Sequence, residues 1–200
     1  GDTVEVTSLI PPASCPGHFD IKPDDMRRLA DAQVFMLHGW QARSFSGEII
    51  QASGNRTLKK AVLDVPGNWM APPVQVQATE RIAAVMAEAN PTHGDKYRAA
   101  AERRKAEVQR VGSVQAGRLA QAGVGRIAVL ANDMQADFIR WAGFQVVGTF
   151  GRGEDMSPRD MEDAIRLGRT ESVRLVVDNL QSGKQAGVGI AKAIGASQIT

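Results

Sequence analysis

The chain has 200 residues, of which 43% are hydrophobic and 23% are charged, so it is long enough to bury a core as one large domain or two small lobes. Lysine and arginine number 24 against 22 aspartate and glutamate, and aromatic residues make up 5%, a balance that argues against a nucleic-acid-binding surface. The sequence has no apolar run of the ~18–20 residues that a membrane span needs, and we expect any secretion signal to lie outside it.

Short β-branched runs alternate with helical patterns, which is typical of an α/β architecture with mainly parallel sheets. Proline, glycine and asparagine mark the breaks between these segments. The first part of the chain predicts, in order, a strand at Val4–Ile10, a helix at Pro23–Ala30, a strand at Gln33–Leu37, a short helix around Gly47–Ala52, a strand near Ala61–Val65 and a helix from Pro72 to Ala89.

A long helix is predicted next, from about Thr92 towards Ala122, with the helical pattern interrupted or weakened at Gly112 and Gly117. At 1.5 Å per residue this helix would span ~45 Å. It would be longer than one small lobe, which is typical of a helix that connects two lobes. Beyond Gly123 the pattern predicts a strand at Arg126–Ala131, a helix at Met134–Ala142, a strand at Gln145–Phe150, a helix that begins at Ser157, a strand at Val173–Val177, a helix at Ser182–Ile194 and a strand from Ser197.

These elements predict two Rossmann-like lobes with mainly parallel sheets, joined by a long helix. The expected division is an N-terminal lobe at 1–89, the connecting helix at 90–123 and a C-terminal lobe at 124–200 that is incomplete at its end. In such lobes ligands gather where the carboxyl ends of the strands meet loops.

The first predicted loop contains the only cysteine, Cys15, with His18 after two intervening residues. This spacing lets a thiolate and an imidazole reach one borderline cation such as zinc. The alternative is a buried thiol beside a capping histidine. His38 ends an apolar strand and opens towards the presumed ligand site, whereas His93 is expected to be a surface or capping residue.

Motifs that would indicate catalysis are missing from the sequence. It contains no phosphate-binding loop, no nucleophile elbow and no His-Glu-x-x-His helix, and its carboxylates lack a paired spacing for acid–base chemistry. An enzyme, such as a cofactor-dependent transferase, is therefore disfavoured relative to a binding protein.

Several segments carry a resemblance through their order along the chain: Asp2–Pro12, His18–Met26, Ala32–Gly39, Asn90–Ala99, Ser157–Met161 and Val173–Asp178. In this order they resemble the metal-binding receptors of zinc and manganese ABC transporters. Asp2–Pro12 and His18–Met26 are similar to that family's strand and first ligand loop, and Ala32–Gly39 is similar to its next strand.

The resemblance places His18 on the family's first metal ligand. Trp69 and Pro72 match the loop of the second ligand, but Gly67 stands at the ligand position itself. Asn132 stands at the third, and the fourth would lie beyond Thr200. These departures imply a divergent member that is trimmed at both ends.

The resemblance implies an extracytoplasmic solute-binding receptor, not an enzyme, that captures a zinc or manganese ion in the cleft between two lobes and delivers it to an ABC permease. We expect metal ligation by Cys15 and His18 and no organic cofactor, nucleic-acid partner or membrane insertion; the expected location is periplasmic or extracytoplasmic. The alternative is a receptor of the same fold for a chelated metal, a corrinoid or another small organic ligand. Further ligand contacts are expected from His38, Trp69, Asn132 and Asp133.

Overall fold

The computed structural model describes residues 4–10, 21–44, 46–183 and 185–200. The chain divides into two compact units, the first formed by residues 1–66 and 73–109 and the second by residues 67–72 and 110–200. None of the described helices is both long and apolar enough to cross a membrane.

The first unit is built around two parallel strands, β1 (Val34–His38) and β2 (Lys59–Leu63). Val34 of β1 lies opposite Lys59 of β2, and His38 lies opposite Leu63. The elements of this unit, in chain order, are α1 (Pro23–Asp31), β1 (Val34–His38), α2 (Gly39–Ser44), α3 (Ser46–Ala52), β2 (Lys59–Leu63) and α4 (Pro72–Ala89), whose first residue belongs to the second unit.

One asparagine ties α1 to the turn that precedes β2. The side-chain amide of Asn55 donates to the carbonyl oxygens of Leu29 and Ala32 at 3.0 and 2.8 Å, and its Oδ1 accepts from the Thr57 backbone at 3.1 Å. Carbonyls at the end of a helix have no partner within the helix. Asn55 therefore supplies donors to the end of α1 and sets where β2 begins.

Helix α5 (Gly94–Gln121) follows a 3₁₀ turn at Pro91–His93 and contributes residues to both units. Its Lys105 side chain is only 14% exposed and reaches Glu80 of α4 at 3.0 Å and Glu102 at 2.8 Å. The hydrogen bonds to Glu102 and then Glu80 raise the pKa of Lys105. This ammonium group thus links α4 to α5 within the first unit.

The second unit contains a parallel sheet of four strands: β3 (Ala128–Asn132), β4 (Gln145–Phe150), β5 (Leu175–Val177) and β6 (Ser197–Ile199). Their order in the sheet is β4-β3-β5-β6. Its central strand β3 carries Val129, Leu130 and Ala131, which are fully buried because helices cover both faces of the sheet. The elements, in chain order, are β3 (Ala128–Asn132), α6 (Asp133–Trp141), β4 (Gln145–Phe150), α7 (Pro158–Thr170), β5 (Leu175–Val177), α8 (Gln185–Ile194) and β6 (Ser197–Ile199).

Side chains of the central strands alternate between two cores. Leu130 and Val176 pack with Ile190 and Ala164 on the side of α7 and α8. Val129, Ala131 and Val177 pack with Ala136 and Ile139 on the side of α6. This two-sided burial explains why β3 and β5 are continuous apolar runs in the sequence.

The structure confirms the predicted α/β class, the parallel sheets and the long helix, which continues through Gly112 and Gly117 without a break. The strand predicted at Val4–Ile10 is wrong: residues 4–8 have no regular secondary structure, and Val6 is 85% exposed. A β-branched run becomes a strand only where a neighbouring strand supplies hydrogen bonds, and the described residues pair none with it.

Two helices differ from the prediction. Helix α2 is not predicted by the sequence pattern. Helix α8 begins at Gln185 instead of Ser182, after a 3₁₀ turn at Leu180–Ser182. Gly183 has a φ of 78°, a left-handed conformation that separates this turn from the helix.

Candidate metal-binding site

The two predicted metal ligands, Cys15 and His18, lie outside the described residues. The pair therefore stays a prediction from the sequence.

His38 lies at the carboxyl end of β1 in the first unit, where it is half-buried. Its backbone N–H donates to the side-chain oxygen of Gln41 at 2.8 Å, and Gln41 is itself buried. Burial lowers the pKa of His38 below its ordinary value of 6.5, because an imidazolium ion is poorly solvated there. The lowered pKa favours the uncharged imidazole, which is the form that binds metals.

Asn132 lies at the carboxyl end of β3 in the second unit and is 1% exposed. Its Oδ1 accepts from the backbone N–H of Met134 at 3.1 Å, which makes it the N-cap of α6. Its Nδ2 donates to the carbonyl oxygen of Gly151 at 3.3 Å. Both ends of the amide are therefore engaged inside the unit, and a contact with ligand stays a prediction.

Asp133 is the first residue of α6 and is exposed, so its carboxylate faces solvent. A carboxylate in the first turn of a helix is favoured by the helix dipole. The structure thus places Asn132 and Asp133 side by side in the chain but in opposite environments, one buried and one accessible.

The loop 67–72 places Trp69 near the start of α6. Asn68 donates from Nδ2 to the Met134 carbonyl oxygen at 2.5 Å and accepts at Oδ1 from the Met70 N–H at 2.7 Å. Trp69, between them in sequence, is half-buried. Gly67 has a φ of 94°, a backbone conformation in which a side chain such as histidine would be strained.

A buried hydrogen-bond network lies at the carboxyl end of the neighbouring strand β5. The carboxylate of Asp178 accepts from the backbone N–H groups of Asn179 at 2.9 Å and Gly187 at 2.8 Å. Asn179 Oδ1 in turn accepts from the side chain of Gln135 on α6 at 3.2 Å. The network holds the start of α8 and the start of α6 at one edge of the sheet.

Sequence reasoning missed the roles of Asn68 and Gln135. Asn68 stands beside Trp69 in a predicted loop, where an asparagine is a signal for local backbone hydrogen bonding. Gln135 gave no signal, because glutamine is common on helices and its partner Asn179 is 44 residues away.

The remaining described histidine, His93, has structural neighbours. Its Nδ1 lies 3.2 Å from Asn90 Oδ1, and its ring is 6.5 Å from that of Tyr97. Among the described residues, no three or more side chains of histidine, cysteine, aspartate or glutamate form a group that could hold a metal ion.

Comparison with known families gives a match along the whole chain. The model of the family described as "Zinc-uptake complex component A periplasmic" matches residues 1–200. No curated protein sequence matches the chain.

Solved structures share the fold at low sequence identity. A crystal structure of ZnuA is 22% identical with a TM-score of 0.78, and the match covers 99% of this chain and 82% of that one. A zinc-bound deletion mutant of ZnuA is also 22% identical, with a TM-score of 0.79 and coverage of 99% and 81%. A manganese-bound mutant of the periplasmic metal-binding protein from Candidatus Liberibacter asiaticus is 15% identical, with a TM-score of 0.82 and coverage of 98% and 79%.

Proposed function

Since the chain belongs to the family of the periplasmic zinc-uptake complex component A, we propose that it is an extracytoplasmic receptor that captures a transition-metal ion and delivers it to an ABC transporter permease. The observation that carries the proposal is the family match over all 200 residues. Its fold is also that of structures solved with bound zinc and with bound manganese. The protein works by binding and release, without turnover of a substrate.

Cys15 and His18 are the proposed principal ligands. A thiolate and an imidazole suit zinc, and their closeness in sequence lets one loop present both. Binding through Cys15 releases its proton, so affinity for the metal falls as the pH is lowered.

His38 is the proposed additional imidazole. Its lowered pKa supports this role, because a histidine that is already neutral has no proton to lose when a metal binds. Asp133 is the proposed oxygen ligand, since its carboxylate is exposed at the start of α6. Trp69 and Asn132 are proposed to line the ligand site.

Equilibrium dialysis of the reduced protein against zinc and manganese, followed by metal analysis, tests the proposal. We expect one retained ion per chain and a loss of affinity of at least about tenfold when Cys15→Ser and His18→Ala are combined. His38→Ala should weaken binding further.

His93→Ala is the matched control, because His93 sits in the 3₁₀ turn with Asn90 and Tyr97 as neighbours and is not a proposed ligand. It should leave affinity unchanged. Failure of the wild-type chain to retain zinc, manganese or another first-row ion would overturn the free-ion proposal. An organic or chelated ligand found in protein purified directly from cells would then support the alternative.

A further inference from the structure

The second unit exposes two methionines at one place on its surface. Met70 is 46% exposed and Met134 is 55% exposed. The chain has seven methionines, and the other five are all partly buried: Met26, Met36, Met86, Met156 and Met161. A methionine side chain ordinarily fills gaps in a core, so two exposed ones held together are unusual for a protein surface.

Asparagine side chains hold the backbone at both methionines. Asn68 accepts from the Met70 N–H at 2.7 Å and donates to the Met134 carbonyl oxygen at 2.5 Å. Asn132 accepts from the Met134 N–H at 3.1 Å. Since one amide group bonds both backbones, the two thioether side chains extend from neighbouring backbone positions.

The position of the pair is one where ligands bind in such folds. Met134 lies in the first turn of α6, directly after the carboxyl end of β3, and the loop of Met70 is bonded to it. In open α/β sheets, ligands bind at the carboxyl ends of the strands. The exposed carboxylate of Asp133 precedes Met134 and adds a negative charge that attracts cations.

We propose that Met70 and Met134 form a soft-metal site that binds a monovalent ion of the copper(I) type. Thioether sulfur is a soft ligand that prefers copper(I), whereas zinc and manganese prefer nitrogen, thiolate or oxygen. This site uses none of the residues Cys15, His18 and His38, but it neighbours Asn132 and Asp133, which are proposed for the zinc or manganese site. The methyl signals of Met70 and Met134 report on this site alone.

Silver(I), a redox-stable ion of the same class, is the probe for this site. The protein carries Cys15→Ser to remove the competing thiolate, and its methionine methyl groups are labelled with ¹³C. Silver should shift the methyl signals of Met70 and Met134 together, reaching completion at one equivalent, and leave the other five signals in place. Leucine variants of each residue assign the two signals.

Two further measurements distinguish thioether ligation from binding by imidazole or carboxylate groups. The combined Met70→Leu and Met134→Leu changes should weaken silver binding at least about tenfold, whereas Met86→Leu on α4 should not. Affinity should also be the same at pH 5.5 and 7.5 to within about twofold, because a thioether has no proton to lose, unlike cysteine or histidine.

Four results would overturn the inference. These are methyl signals that do not move with silver, signals that move at different stoichiometries, a double leucine variant that binds silver like its parent, and an equal response to zinc. Far-UV circular dichroism of each variant checks that the fold is retained, as expected because methionine and leucine have similar volumes.

Discussion

Gly187 shows how a single residue determines the packing at the carboxyl edge of the second sheet. A Cβ atom at this position would lie 2.3 Å from the Asp178 carboxylate oxygen and 2.9 Å from its Cγ. Asp178 is 1% exposed and is held by two backbone N–H groups, so it has no room to move aside. Only glycine lets the start of α8 approach this carboxylate.

We therefore predict that Gly187→Ala destabilises the protein by about 1–3 kcal/mol, because it forces an overpacked contact and disturbs the Asp178 hydrogen bonds. Gly189→Ala is the matched control on the same helix, since a Cβ there meets no atom within 4 Å. That change should be neutral or stabilise by up to about 1 kcal/mol through higher helix propensity. Urea unfolding followed by circular dichroism measures both, and equal stabilities would contradict the prediction.

Residue roles of this kind were only partly predictable from the sequence. The chain order showed that Asn132, Asp133 and Asp178 follow strands, and this sufficed to place them at a sheet edge. It did not show that the Asn132 amide forms hydrogen bonds with the backbones of Met134 and Gly151, since Gly151 is 19 positions away. Side-chain partners distant in sequence depend on packing, which a local pattern does not contain.

At the scale of elements, α7 illustrates a signal that is local and therefore readable. Ser157, Pro158 and Asp160 predict a helix start, and the structure has α7 begin at Pro158 with Ser157 as N-cap. The Ser157 hydroxyl donates to the Asp160 carboxylate at 2.7 Å and its oxygen accepts from the Asp160 N–H at 3.2 Å. By contrast, the strand prediction for Val4–Ile10 is wrong because a strand depends on a neighbouring strand from elsewhere in the chain.

Ser157→Ala should cost about 1 kcal/mol of stability, because it removes the N-cap hydrogen bonds. Hydrogen bonds from Ser157, through its side chain and then its backbone, lower the pKa of Asp160 in the native state. This pKa lies below the unfolded value of 3.8. The ionised Asp160 carboxylate therefore contributes fully to the free energy of unfolding above pH 3.8, and this contribution is lost as the pH falls through the native pKa.

The stability difference between wild type and Ser157→Ala should therefore shrink as the pH falls below 3.8. Urea titrations at several pH values give this difference, and carboxyl ¹³C shifts show the Asp160 pKa rising in the variant. Ser113→Ala, at an exposed position inside α5, is the control and should show neither effect. A pH-independent difference would mean that Asp160 does not take part in the cap.

At the scale of the whole molecule, the α/β class was predictable because both sheets are parallel and alternate with helices along the chain. The division into units was less accessible to sequence reasoning, since residues 67–72 belong with the second unit although they precede α5. The hydrogen bond from Asn68 to the Met134 carbonyl oxygen shows why: it joins this loop to the start of α6, which lies 66 positions later in the chain.

Metal capture by the native chain should raise its resistance to heat. A ligand that binds only the folded state at 100 times its dissociation constant stabilises that state by about 2.7 kcal/mol. Differential scanning calorimetry with zinc, and again after chelation, should thus show a reversible rise in the unfolding temperature. The combined Cys15→Ser and His18→Ala variant should lose the rise, while the variant with Met70→Leu and Met134→Leu should keep it. If the methionine variant loses the rise in unfolding temperature and the Cys15 and His18 variant retains it, zinc is bound at the thioether pair and the assignment of Cys15 and His18 is wrong. If both variants retain the rise, neither pair is the zinc site.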